Sequence, residues 1–160
     1  MLLNRDAIAR LVPHAGAMCL LDAVVSWDAE RVVCRTARHA DANNPLAVDG
    51  RLSSLAGIEF AAQAMAVHAA LVRSRAAEAS HPASRGAFAR GALARVRDCT
   101  IARPRLDRAP VPLLVTAERI AATSAALAYR FRLHAGDLLF VEGSALIAVA
   151  TAPLAATVEP

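Results

Sequence analysis

The chain has 160 residues, 56% of them hydrophobic and 20% charged, with a net charge of +4. That is enough apolar material for one globular domain, 1–160, built on one core. Aromatics make up only 4% of the chain, too few rings for a base-stacking platform, so nucleic acid is set aside as a partner.

The N-terminus meets Asn4, Arg5 and Asp6 after three residues, and no run of membrane-spanning length is free of charge. A secretory leader and a membrane span are therefore not expected, and the chain reads as cytoplasmic. Cys19, Cys34 and Cys99 form an odd set without CxxC spacing, which suits buried small hydrophobes better than disulfides or a zinc site. Every basic residue is Arg.

In chain order, residues 4–11 predict a short helix capped by Asn4 and stopped by Pro13. Residues 17–27 read as a strand, Asp28-Ala29-Glu30 as a turn, and 31–39 as a second strand. Asp41 to Pro45 is a loop, and Asp49-Gly50 a tight turn before Ser53 and Ser54, both helix caps. A long helix then runs to about Arg73. After a surface connection through His81-Pro82, four strands follow, at 88–101, 113–123, 125–134 and 138–150. In the third, Leu127, Tyr129, Phe131 and Leu133 alternate with Ala128, Arg130, Arg132 and His134, the period-two pattern of a sheet covered on one face. The order predicts an α+β domain, an antiparallel sheet around a long central helix.

That helix holds the main chemical signal. Leu55 to Val67 is apolar on every face except for Glu59 and Gln63, so the helix is expected to be buried all round, by the sheet over most of its faces and by a second subunit over the rest. A carboxylate there must be paired, neutralised or kept for chemistry. Gln63, one turn on, shares the face of Glu59 and is placed to orient it.

Pro13-His14-Ala15-Gly16-Ala17-Met18-Cys19-Leu20-Leu21-Asp22 and Glu59-Phe60-Ala61-Ala62-Gln63-Ala64 together resemble two motifs, in the same order, of the 3-hydroxyacyl-(acyl carrier protein) dehydratases of the hotdog superfamily. The closer likeness is to the divergent branch associated with aryl polyene biosynthesis, where an Asp-Gly precedes a helix containing Gly-Ile-Glu. Typical members carry Gly-His-Phe-Pro before the helix and use its histidine as base. Here that region is Asn44 to Leu52, with no histidine between His39 and His68.

The resemblance implies a hotdog fold and dehydration of an acyl thioester on acyl carrier protein or coenzyme A, by a homodimer or a hotdog heterodimer, with no cofactor and no metal. Such a reaction needs an acid and a base. Glu59 fits the acid and His14 the base, with Asp49 a second candidate in place of the missing histidine. The N–H groups of Ala56 and Gly57, at a helix start, are candidate donors to the thioester oxygen. The side-chain-free Gly57 would admit substrate closely, and Gln63, Asp49 and Gly50 complete the candidate substrate-binding set.

His68, half a turn round the helix from Glu59, is expected in the core or at an interface, while His39, His81 and His134 lack the spacing of a metal site. Serine-hydrolase, nucleotide and zinc-protease motifs are missing, and Cys19 has no activating base beside it. Arg90, Arg95, Arg97, Arg103, Arg105 and Arg108 form a basic concentration suited to an acidic carrier or to solvated strand faces. The alternatives are a thioesterase, with Glu59 activating water, and a non-catalytic hotdog subunit.

Overall fold

The computed structural model describes residues 2–14, 16–79 and 90–150. The elements are β1 (Leu3–Asn4), α1 (Arg5–Leu11), β2 (Ala23–Trp27), β3 (Arg31–Thr36), α2 (Gly57–Ala79), β4 (Arg90–Ile101), β5 (Leu113–Ala122), β6 (Ala126–Ala135) and β7 (Leu138–Ala150). The strands form a single sheet in the order β1-β2-β3-β5-β6-β7-β4, and every neighbouring pair is antiparallel.

Local chemistry explains the starts and turns. The Asn4 Oδ1 accepts from the Ala7 N–H at 3.0 Å and caps α1, supplying one acceptor for the unpaired first-turn donors. The Asp28 Oδ1 accepts from the N–H groups of Glu30 and Arg31, each at 2.8 Å, closing the β2–β3 turn. The Ser53 Oγ accepts from the Leu55 N–H at 3.2 Å, so the serine caps a short 3-10 turn, Ser54–Ala56, that leads into α2.

One face of α2, carrying Gly57, Phe60, Ala61, Ala64, Val67 and His68, lies on the sheet at the three- and four-residue spacing of a helix. It meets Val32, Val115, Ala117, Tyr129, Phe131, Leu133 and Val141, all buried. A Cβ built on Gly57 would sit 2.9 Å from Leu133 Cδ2 and 3.3 Å from Val141 Cγ2, so the missing side chain sets how closely helix and sheet approach. His68 joins this core: Nδ1 lies 2.9 Å from the Tyr129 hydroxyl and Nε2 3.1 Å from the Asp28 carbonyl. Because a carbonyl only accepts, Nε2 carries the proton and Nδ1 takes the Tyr129 O–H. Burial holds this imidazole below its ordinary pKa.

Four expectations change. Residues 17–22 are not strand: they form a 3-10 turn, Gly16–Met18, and an extended link, because side chains take the backbone groups of Met18, Cys19 and Leu20, and only Asp22 bonds to β3. Helix α2 runs six residues past Arg73, with residues 73–78 exposed. Within the single chain it is not buried all round, since a face at Ala62, Ala66 and Ala69 stays open to a groove. Cys19 and Cys34 are buried as expected, and burial pushes the Cys34 thiol up to about 12, but Cys99 is exposed on β4. The connection through His81-Pro82 lies outside the described residues, and β1 is a short addition that the sequence pattern does not show.

Candidate active site

Glu59 stands in the first turn of α2, and His14 arrives from the segment after α1. His14 Nε2 lies 3.2 Å from Glu59 Oε1 within the same chain. The same carboxylate oxygen accepts from Gln63 Nε2 at 3.0 Å. Gln63 is fully buried, and its orientation is set by the backbone it meets. The Leu20 N–H donates to Oε1 at 2.9 Å, while Nε2 donates to the Met18 carbonyl at 2.8 Å. Since only Oε1 can take the Leu20 proton, the NH2 group must face Glu59. The carboxylate is thus aimed by an amide whose flip is fixed by two backbone groups.

Glu59 is not sealed in an apolar interior, as the sequence suggests. About a third of each side chain stays accessible, 32% for Glu59 and 31% for His14, and both border a groove of about 690 Å³. On the helix side its floor is Ala62, Met65, Ala66 and Ala69. Its wall is a register-matched row on three strands, where Leu93 of β4 pairs with Ile147 of β7 and Ile147 with Leu127 of β6. Arg10 and Arg73 also line it. His14 Nδ1 is buried and has no hydrogen-bond partner among the described residues, so Nε2 is the ring atom turned to the carboxylate.

The other candidates are placed differently. The Ala56 N–H donates to the Ser53 carbonyl at 3.0 Å, and the Gly57 N–H turns back onto the carbonyls of Ser54 and Leu55. These donors are spent on the 3-10 turn, and Gly57 faces the sheet rather than the groove. Asp49 and Gly50 form an exposed turn with φ of 51° and 68°, closed by the Val48–Arg51 bridge, and do not line the groove. Asp49 is therefore not brought to Glu59 within this chain. Of the remaining histidines, His39 is buried with Nε2 3.1 Å from the Ala109 carbonyl, and His134 Nδ1 lies 2.9 Å from the Gly136 carbonyl. Among the arginines, Arg105 donates from Nε and Nη2 to the two carboxylate oxygens of Asp107 and holds that carboxyl down to about 2. Arg95 and Arg97 are exposed on β4.

Sequence reasoning missed the wall of the groove. Ala62, Ala66 and Ala69 follow Glu59 at helical spacing and were legible; Leu93, Leu127 and Ile147 lie far apart in the chain and meet only through strand register.

An antiparallel sheet wrapped around one long helix, with a carboxylate on that helix facing an apolar groove, defines the chain as a hotdog-fold protein of the class that includes thioesterases and dehydratases. It belongs to the ApeP-like dehydratase family, whose model matches residues 6–157. No curated protein matches the sequence. Among solved structures, the chain is similar to one from the dehydratase heterocomplex ApeI:P of Xenorhabdus doucetiae, with TM-score 0.75 and 19% identity over 94% of this chain and 93% of that one. A variant of the thioesterase PA1618 from Pseudomonas aeruginosa gives 0.62 and 11% over 95% and 97%. The thioesterase HI1161 from Haemophilus influenzae gives 0.63 and 9% over 94% and 93%.

Proposed function

We propose that the chain dehydrates 3-hydroxyacyl thioesters, carried on acyl carrier protein or coenzyme A, to 2-enoyl thioesters. The observation that carries this reading is the 3.2 Å approach of His14 to Glu59 at the wall of an apolar groove; family membership supports it. In the proposed cycle His14 takes the proton from C2. Glu59, protonated at the start, gives its proton to the C3 hydroxyl, which leaves as water while the C2–C3 double bond forms. The imidazolium then returns a proton to the carboxylate across the short gap, and both groups are reset without a proton from bulk. Gln63 keeps the carboxyl aimed throughout, and the alanine floor and the Leu93–Ile147–Leu127 wall accommodate the acyl chain.

A carrier with an acidic surface would find Arg95 and Arg97 exposed on β4. The same strand is twelve residues long and, among the described residues, is hydrogen-bonded to no strand but β7, with Leu93 and Ile101 40% and 44% exposed. An open edge of this kind is a template for another strand, and we infer that a second hotdog chain, identical or not, pairs there in the cytoplasm.

Glu59→Gln tests the reading: the fold should persist while turnover falls about 10²- to 10⁴-fold, the usual contribution of a positioned acid or base. Unchanged turnover ends it. A thioesterase is the second reading, favoured by the partial exposure of Glu59, which lets water reach the carboxylate. Only a thioesterase releases free acid from both a 3-hydroxyacyl and a saturated acyl carrier. A chain inert alone, yet copurifying with an active hotdog partner, would instead be a non-catalytic subunit.

A further inference from the structure

We propose that Arg5, the first residue of α1, is a positioning residue for the Glu59–His14 pair. Residues 16–20 join His14 to β2 without belonging to any strand, so no sheet ladder fixes them. Their carbonyls are instead held by side chains from three elements. Arg5 Nη2 donates to the Gly16 carbonyl at 2.7 Å, and its Nε and Nη2 each reach the Cys19 carbonyl at 3.4 Å. Gln63 of α2 takes the Met18 carbonyl and the Leu20 N–H. The Thr36 hydroxyl, at the end of β3, donates to the Leu20 carbonyl at 2.7 Å.

The segment is thus clamped between two sides. On one, Gln63 uses it as the reference that aims the Glu59 carboxylate. On the other, Arg5 spans the 3-10 turn from Gly16 to Cys19 and stops it drifting away from α2. His14 lies two residues before the turn, so the position of the turn governs both the imidazole and the amide that orients its partner. A planar guanidinium suits this task because its donors form a rigid fork that reaches two carbonyls at once; an ammonium is a single point. Asn4, which caps α1, fixes the helix turn from which the arginine projects. Every part of the clamp belongs to one chain.

The proposal rests on Glu59 and His14 being the reacting groups, and its test has one readout that needs no turnover. Arg5→Met and Arg5→Lys are compared with the unaltered chain in thermal melts, in steady-state kinetics with a 3-hydroxyacyl carrier thioester, and in the NMR signals of the His14 ring and the Gln63 carboxamide. A misplaced reacting pair is expected to lower kcat about 10- to 100-fold with little change in KM, with the lysine variant intermediate. The shift that Glu59→Gln produces in the His14 signals should vanish in the Arg5→Met background. A folded Arg5→Met protein with unchanged kcat and an intact Glu59-dependent His14 shift overturns the proposal. If Arg5→Met does not fold, a lysine variant matching the unaltered chain in both readouts overturns it equally. Full turnover in Glu59→Gln would instead sink the dehydratase reading, while the NMR coupling still decides the role of Arg5.

Discussion

Replacing Gln63 with Met keeps the length and shape of the side chain and deletes three hydrogen bonds, to the Leu20 N–H, the Met18 carbonyl and Glu59. The Leu20 N–H is buried, so its lost partner costs about 1–3 kcal/mol; the partly buried Met18 carbonyl adds an amount near the lower end of that range. The more apolar methionine returns about 1 kcal/mol through burial. The net expectation is a loss of about 1–3 kcal/mol, which for a chain of this size lowers the thermal midpoint by about 2–12 °C. Urea titration at neutral pH measures the loss, and initial rates of the folded variant should fall at least about tenfold because Glu59 has lost its orienting donor. A variant within about 0.5 kcal/mol of the unaltered chain, the scatter of ordinary surface changes, would refute the assignment of Gln63 as the pin between the turn and the carboxylate.

Gly57→Ala should be destabilised by about 1–3 kcal/mol through overpacking against Leu133 and Val141, both fully buried, despite the better helix propensity of alanine; an equally stable variant in urea titration would return Gly57 to the substrate-approach role. His68 and His39 are held below 6.5 by burial, so the unfolded chain binds protons that the folded one refuses. Stability should therefore rise with pH up to about the ordinary histidine value and then level, as urea midpoints between about pH 5 and pH 8 will show; a profile that falls with rising pH across that window contradicts the assignment. Glu59→Gln chains mixed with His14→Ala chains should recover no activity, because the proposed acid and base meet within one chain; recovery after confirmed subunit exchange would place His14 across an interface.

Much of the fold was legible because local patterns agreed with the final structure. The alternation from Leu127 to His134, the Asn4 cap and the Asp28 turn each produced the element that they predict. The segment 17–22 was misread because Leu and apolar neighbours suit a strand, and nothing local shows that Arg5 and Gln63 would take its backbone groups in place of a ladder. Glu59 and Gln63 were visible as the polar pair in the otherwise apolar run Leu55 to Val67. The Ala56 and Gly57 donors looked free because a helix start normally leaves N–H groups open, whereas here a 3-10 turn uses them first.

The sequence by itself determined the α+β order, the carboxylate on the central helix and the partner one turn away, since these depend on spacing of three or four residues. Only the tertiary structure decided that His14 is the group at Glu59 and Asp49 is not. It also decided that the helix keeps one face open and that Leu93, Leu127 and Ile147 form a single wall. Those outcomes depend on strand register and on where a ladder-free turn is clamped, and contacts between residues tens of positions apart leave no local period to read.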